Sequence, residues 1–315
     1  MIVVTGASGF LGSWVSNYLA CQGETVQALV RENSNDWRLL KSPLLTVLPI
    51  DSANWAELIN RIKPRAVISL DWSGVENAHR DNKQLQRNNR IRVLSLAKSA
   101  IQAKSDLFLT FGSQAENGKL LDSAPEEVSS NPLTVYGNEK VILRNELTAL
   151  FQNTHTRFVW GRIFSTYGPA DNTNWLIPSV INSGIAKKQI STTDGSQTWS
   201  YLHSLDFARA VEVILKNQNA EGIINLGGSS PLKLSTIFDI LESELKIGKI
   251  VNRGEREVRE DQPTYLVPRM EKLLDLGWTE KVEIKEGLRN YISWSKGQSD
   301  EFKGITLPRN PGLLS

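Results

Sequence analysis

A tyrosine and a lysine four residues apart, Tyr136 and Lys140, are the residues of this chain best suited to move a proton. Apolar residues continue after them at helical spacing and predict a helix, on which positions four apart lie on one face. A free phenol has a pKa of about 10, and a fixed cation beside it favours the ionised form. The pair could therefore exchange a proton with a substrate near neutral pH, although a solvated helix face has the same spacing.

Ser113 is the third candidate for chemistry. It follows an apolar run, Leu107 to Phe111, that predicts a buried strand. Ligands of α/β sheets bind at the carboxyl ends of the strands, where a hydroxyl could donate a hydrogen bond to a carbonyl oxygen. We therefore expect Ser113 to lie near the tyrosine and the lysine. A turn or cap residue is the plainer interpretation.

The start of the chain predicts the site that these residues would serve. An apolar run, Ile2 to Val4, gives way to a glycine-rich turn and then to a helical pattern. In that order of elements, backbone N–H groups can approach a pyrophosphate, and the positive end of the helix faces the anion. The sequence therefore predicts a dinucleotide site, for which we expect Gly6, Ser8, Gly9, Phe10, Leu11 and Gly12 to bind the cofactor.

The second strand, Thr25 to Val30, ends at Arg31, where proteins that prefer NAD have an acidic residue for the ribose 2′-hydroxyl. A guanidinium matches a phosphate, so Arg31 favours NADP(H) over NAD(H). A solvated loop arginine is the alternative, and Glu32 beside it weakens the charge argument. Asp51, after a third strand, could accept a hydrogen bond from an adenine amino group, or it could cap a helix.

Strands and helices alternate through the first half of the chain, a pattern that predicts a parallel sheet. From about Trp175 onward, helices are separated by short strands and turns. We therefore expect an α/β fold: a Rossmann-type, doubly wound parallel sheet with a smaller, mixed C-terminal substrate-binding domain. Residues 1–170 would bind NADP, residues 171–295 mainly the substrate with some segments returning to the sheet, and residues 296–315 would form a loosely packed tail.

Composition excludes several other classes of function. The formal net charge of +2 gives no footprint for nucleic acid. Cys21 is the only cysteine and the three histidines are scattered, so neither a disulfide nor a metal site is expected. No apolar run approaches membrane-spanning length, and Met1 leads directly into the first strand. We expect a cytoplasmic protein that does not bind a membrane.

Together, the glycine-rich turn, Ser113 and the Tyr136–Lys140 pair resemble the extended short-chain dehydrogenase/reductases, the superfamily of nucleotide-sugar epimerases, dehydratases and reductases. Later motifs continue the resemblance in family order to about residue 295, at residues 161–169, 194–197, 201–206, 259–263, 276–278 and 286–288. The resemblance implies a catalytic triad of Ser113, Tyr136 and Lys140. The tyrosine would exchange the proton, the lysine would hold the nicotinamide ribose and lower the pKa of the tyrosine, and the serine would orient the sugar oxygen. Hydride would pass to or from a sugar carbon, usually C4.

The resemblance also implies roles for residues that carry no signal by themselves. The further cofactor contacts would be Asp51, Ser52, Leu70, Asp71, Trp72 and Asn89, and the substrate contacts Ser73, Gln114, Ser165, Trp199 and Arg259. Three of them depart from the family pattern. Asp71 replaces an alanine beside the cofactor, Ser165 replaces an asparagine, and Trp199 replaces an arginine that binds phosphate, whereas Arg259 matches a later arginine.

The same comparison narrows the reaction. Gln114 and Ala115 stand where the family's 4,6-dehydratases have an acid–base pair, so dehydration is not expected. The finer resemblance is to 4-ketoreductases such as CDP-abequose synthase-like enzymes, and predicts NADPH-dependent reduction of a nucleoside-diphosphate 4-keto-6-deoxy sugar. An NAD-dependent nucleotide-sugar 4-epimerase is the alternative, and a non-catalytic, dinucleotide-binding regulator or scaffold is a third. The family commonly dimerises through the two helices predicted at residues 82–103 and 133–151, so we expect a homodimer.

Overall fold

The computed structural model describes residues 1–259 and 262–309, which fold around a seven-stranded parallel sheet. The strands are β1 (Ile2–Thr5), β2 (Val26–Val30), β3 (Leu45–Pro49), β4 (Ala66–Ser69), β5 (Leu107–Ser113), β6 (Arg157–Ile163), β7 (Ser165–Tyr167), β8 (Ile190–Thr192), β9 (Thr198–His203), β10 (Gly222–Leu226), β11 (Pro231–Lys233), β12 (Val251–Arg253), β13 (Tyr265–Leu266), β14 (Glu301–Phe302) and β15 (Ile305–Thr306). The helices are α1 (Phe10–Cys21), α2 (Trp55–Ile62), α3 (Lys83–Gln102), α4 (Val135–Phe151), α5 (Leu176–Ile185), α6 (Ser204–Lys216), α7 (Leu234–Leu245), α8 (Glu271–Asp275) and α9 (Ile284–Ser295).

The large sheet has the strand order β10-β6-β5-β4-β1-β2-β3. Its central strands are short apolar runs buried on both faces, as parallel sheets require. Helices α1 and α6 contribute to the hydrophobic cluster on one face, and α2, α3 and α4 to the cluster on the other. This arrangement confirms the predicted α/β class with a doubly wound sheet.

The later part of the chain builds smaller sheets beside the large one. Strands β7, β9, β11 and β13 form a mixed sheet, and β8 pairs with β12. Strand β10 instead joins the large sheet next to β6, so this late segment returns to the first layer. The exact division into two domains stays a prediction.

The tail is packed more firmly than its sequence indicates. Strands β14 and β15 form a hairpin in which Phe302 and Ile305 are buried, and Leu307 is buried just after it. The indole N–H of Trp294 donates a hydrogen bond to the Pro308 carbonyl oxygen at 2.6 Å. The expectation of a loosely packed tail was therefore wrong for residues 296–309. These residues contain too few apolar side chains to form a periodic pattern that would predict their packing. Residues 310–315, and Glu260 and Asp261 of the motif at 259–263, lie outside the described residues.

Candidate active site

In the glycine-rich turn between β1 and α1, backbone segments pack so closely that side chains would not fit between them. Gly6 has a φ of +69°, a conformation that side chains rarely adopt. A Cβ on Gly12 would lie 2.2 Å from the Gly6 carbonyl oxygen. Helix α1 begins after Gly9 with no side-chain cap, so its first N–H groups are available to an anion. These features fit the pyrophosphate of a dinucleotide.

A cleft of about 930 Å³ extends from this turn along the carboxyl ends of the central strands towards the smaller sheets. Its size is in the range of ligand sites, and most of the predicted site residues line it. These are Gly6, Gly9, Phe10, Leu11, Gly12, Leu70, Asp71, Trp72, Ser113, Gln114, Tyr136, Lys140, Ser165, Trp199 and Arg259. The structure therefore brings the triad, most of the predicted turn and four of the five predicted substrate contacts to one cavity.

The three triad residues meet where β5 ends and α4 begins. A side-chain hydrogen bond joins Ser113 to Tyr136. The ammonium of Lys140, which is only 4% exposed, donates a hydrogen bond to the Phe111 carbonyl oxygen at 2.6 Å. Its Nζ lies 5.8 Å from the centre of the Tyr136 ring. Hydroxyl, phenol and ammonium thus share one wall of the cleft, as proton transfer to a bound substrate requires.

Burial dominates the electrostatics of the triad. It raises the pKa of Tyr136, and the hydrogen bond from Ser113 and the charge of Arg80 only partly offset this rise. Burial lowers the pKa of Lys140 to about 7, against the smaller opposing effects of Glu116 and Asp71. The pKa of Tyr136 is therefore raised in the chain by itself, where a lowering was expected, because loss of water outweighs the other influences on the phenol.

A sequence model of one known protein family matches most of the chain. The model of the NAD dependent epimerase/dehydratase family matches residues 2–227. The chain belongs to this family. The match confirms the resemblance that the motifs indicate.

Individual relatives are distant but nearly full-length. UDP-glucuronate 4-epimerase of Thermodesulfobacterium geofontis is 27% identical, over 97% of this chain and 99% of that protein. CDP-abequose synthase of Salmonella typhimurium is 25% identical, over 92% of this chain and 97% of that protein. The solved UDP-glucuronic acid 4-epimerase of Bacillus cereus, in complex with UDP-glucuronic acid and NAD, is 21% identical, with a TM-score of 0.82 over 95% of this chain and 99% of that one. This last likeness shows the shared fold.

Six predicted contacts do not line the cleft: Ser8, Arg31, Asp51, Ser52, Ser73 and Asn89. Asn89 is fully buried. Its side-chain oxygen accepts a hydrogen bond from the Ser73 N–H at 3.3 Å, and its side-chain nitrogen donates one to the Ser73 carbonyl oxygen at 2.8 Å. It therefore holds the loop after β4. The Asp51 carboxylate accepts a hydrogen bond from the N–H of Ala53 at 2.9 Å, so the capping alternative describes its place in the fold. Direct contact of these residues with a ligand stays a prediction.

Arg31 lies exposed directly after β2, with the exposed Glu32 next to it. A second cation, which the sequence did not reveal, contacts the glycine-rich turn. Arg38 is half-buried, and its guanidinium donates to the carbonyl oxygens of Ala170 and Ser8 at 2.8 and 3.5 Å. Nothing in the sequence near Arg38 distinguishes it from other loop arginines, because its partners are distant along the chain.

Asp71, where the family has alanine, is neutralised within the protein. Its carboxylate accepts hydrogen bonds from the hydroxyls of Thr5 and Ser69, and Arg92 donates to it at 2.6 Å. Arg92 was missed by the sequence argument, although it lies on α3 one turn after Asn89 and donates to that residue too. The carboxylate is thereby compatible with a cofactor site.

Glu116 was also missed as a residue of the site's framework. Its carboxylate is fully buried and accepts hydrogen bonds from the Ser113 N–H at 2.8 Å, the Trp160 indole at 3.1 Å and Arg144 at 2.7 Å. Arg144 follows Lys140 by one helical turn. The signal available in the sequence was this spacing, since it puts a cation on the face of α4 that carries the triad.

The described part of the chain contains neither a metal-ligand cluster nor a membrane-spanning helix. No group of histidine, cysteine and carboxylate side chains there could hold a metal ion. Among the helices of residues 1–259 and 262–309, none combines the length and apolar character that crossing a membrane requires.

Proposed function

We propose that the protein reduces the C4 ketone of a nucleoside-diphosphate 4-keto-6-deoxy sugar with NADPH. The main support for the reductase is the position of Arg31. It lies exposed at the end of β2, where a carboxylate would favour NAD, and an arginine there favours the NADPH that a reductase would use. The lack of an acid–base pair at Gln114 and Ala115 argues against dehydration, because that reaction needs a base and an acid beyond the triad.

A bound nicotinamide dinucleotide would supply the hydride to C4 of the sugar. The N–H groups at the start of α1 would bind its pyrophosphate. Tyr136 would donate its phenolic proton to the ketone oxygen, so that the C=O bond becomes CH–OH with one hydride and one proton added. Ser113 would orient that oxygen, and the buried ammonium of Lys140 would stabilise the phenolate that Tyr136 becomes.

A 4-epimerase that keeps NAD bound is the second candidate. It is supported by the relative and the solved structure that carry that activity in their names, one of them with NAD bound. In such a reaction Tyr136 would first accept the proton and later return it. The same triad serves both candidates, and they differ in the cofactor and in whether a ketone is the starting material.

The test is a substrate panel. Purified protein is mixed with 4-keto-6-deoxy sugars linked to dTDP, CDP, GDP and UDP, with NADPH or NADH, and cofactor oxidation is followed at 340 nm. Oxidation of NADPH with one ketosugar supports the reductase. The protein is also incubated, without added cofactor, with nucleotide sugars that carry a C4 hydroxyl, and interconversion of two 4-epimers supports the epimerase. A protein that binds the dinucleotide tightly and converts none of these sugars is a regulator or scaffold.

Arg31 is expected to set the cofactor preference. Arg31→Ala removes a charge-assisted contact to a 2′-phosphate, which corresponds to roughly a 10- to 100-fold rise in KM for NADPH. The KM for NADH should stay within about two-fold, because NADH has no phosphate there. Glu32→Ala is the matched neighbour and should leave NADPH binding unweakened. Equal loss of both cofactors in Arg31→Ala would contradict the proposed role.

We further propose that two copies of the chain associate through α3 and α4. These helices are held together by Arg90, which pairs with Glu139 and Glu146 at 2.7 Å. Ile91 on α3 is 52% exposed, and Leu133 just before α4 is 49% exposed. A second copy of the chain would cover these two apolar side chains. Sedimentation equilibrium should give twice the chain mass, and a monomer at micromolar concentration would refute the dimer. The cytoplasmic location stays a prediction.

A further inference from the structure

Lys140 has an aromatic neighbour that the proposed mechanism does not use. An ammonium has three N–H donors, and the Phe111 carbonyl oxygen takes one of them at 2.6 Å. The Nζ atom lies only 3.6 Å from the centre of the Trp72 ring. That distance is well within the range in which the face of an indole attracts a cation.

Hydrogen bonds through a buried glutamine hold the Trp72 ring in this position. Its indole N–H donates a hydrogen bond to the side-chain oxygen of Gln86 at 2.7 Å. Gln86 is fully buried, and its amide donates to the carbonyl oxygens of Gly74 and His79 at 2.9 and 3.0 Å. Trp72 also meets the ring of Tyr136 edge-on, with 6.1 Å between ring centres. One side chain thus contacts both the phenol and the ammonium of the triad.

We propose that Trp72 is a positioning residue, whose ring keeps Lys140 in its ammonium form and fixes it relative to Tyr136. A buried ammonium loses the water that would stabilise its charge, and the indole face returns part of that stabilisation without adding a competing donor. A kinetic test of this role rests on the proposed function, whereas a direct titration of Lys140 does not.

Among the described residues, three charged groups face Lys140. Glu116 and Asp71 favour the ammonium and Arg92 opposes it, while the titratable phenol of Tyr136 lies on the same helix as Lys140. Burial outweighs them and lowers the pKa of Lys140 to about 7. Removing the ring lowers this pKa further, so the ammonium should be lost at a lower pH. If the indole merely kept water away, its removal would raise the pKa of Lys140, so the direction of the shift distinguishes the two roles.

The direct test titrates Lys140 in the cofactor-free protein. Lysine labelled with ¹³C at Cε gives a resonance that shifts on deprotonation, and Lys140→Met identifies it by its disappearance. We expect a midpoint about one pH unit lower in Trp72→Leu, from the strength of a desolvated cation–π contact. Trp72→Phe retains an aromatic face and should shift by less than about half as much.

Gln86→Leu provides a second variant that retains both aromatic side chains. It removes the acceptor of the indole N–H and the donor to the Gly74 and His79 carbonyl oxygens, which loosens the Trp72 ring, and we expect a midpoint between those of the wild type and Trp72→Leu. An unchanged or higher midpoint in Trp72→Leu, with the same melting temperature as Trp72→Phe, would overturn the inference.

The kinetic readout separates this inference from the proposed function. If a sugar is reduced, the limb of kcat that falls as pH rises should move to lower pH in Trp72→Leu, by the same amount as the titration. A uniform loss of kcat at all pH values would indicate a structural role alone. If no sugar is converted, the proposed function fails while the ¹³C titration still decides the role of Trp72.

Discussion

Tyr136→Phe should reduce turnover by roughly a thousand-fold while leaving dinucleotide binding within about two-fold of the wild type. The substitution removes one oxygen atom, the one that is hydrogen-bonded to Ser113. The ring, its edge-on contact with Trp72 and the helix around it are retained. The loss should therefore appear in kcat rather than in KM, because the proton is needed only as the ketone becomes an alkoxide.

The measurement is kcat and KM with the sugar nucleotide that the substrate panel identifies, together with fluorescence titration of the dinucleotide. Tyr18→Phe is the matched control. Tyr18 lies on α1 away from the cleft, and its phenol donates a hydrogen bond to Glu212 of α6 at 2.7 Å, so kcat should change less than two-fold. Tyr136→Phe with more than a tenth of wild-type turnover would mean that another group supplies the proton.

Much of the fold could be predicted because its signals are local. The apolar runs of β1, β4 and β5 are interrupted by turn residues and followed by helical patterns, and such alternation has few solutions other than a doubly wound sheet. Lys140 could be linked to Tyr136 because one helical turn separates them. Ser113 needed the topology as well, since it is the end of β5 that brings it beside α4.

The framework of the site could not be read in the same way. Glu116 contacts Arg144, 28 positions further on, and Trp160, 44 positions further on. Asp71 contacts Thr5 across 66 positions and Arg92 across 21. Such partners meet only after the strands take their order in the sheet, and a carboxylate that ends up buried has the same appearance in sequence as one on the surface.

The environment of Lys140 has the same origin. The spacing predicts a lysine beside a tyrosine. The indole face 3.6 Å from its ammonium belongs to the loop after β4, and the burial that lowers its pKa arises only when the chain packs. The pattern therefore predicts which groups take part in the chemistry, and the packing determines the pH range in which those groups could act.

Glu116 is expected to contribute strongly to the stability of the fold around the site. Glu116→Leu should lower the free energy of unfolding by about 3–5 kcal/mol, because it leaves the cation of Arg144 and the fully buried Arg162, whose Nε lies 3.7 Å away, without their carboxylate. It also removes the acceptor of the Ser113 N–H. Unfolding in urea, followed by circular dichroism, gives the value.

Two further variants separate the charge of Glu116 from its other contacts. Glu116→Gln retains an oxygen acceptor and most of the shape, so a smaller loss than in Glu116→Leu would assign the difference to the buried guanidinium groups. Glu127→Gln removes a carboxylate that is 75% exposed and pairs with Lys272 at 3.0 Å, and it should cost less than about 1 kcal/mol. If Glu116→Leu were as stable as Glu127→Gln, the buried cluster would contribute no net stability. Because Glu116 connects the strand end that carries Ser113 to the helix that carries Tyr136 and Lys140, its loss should also lower kcat where the protein remains folded.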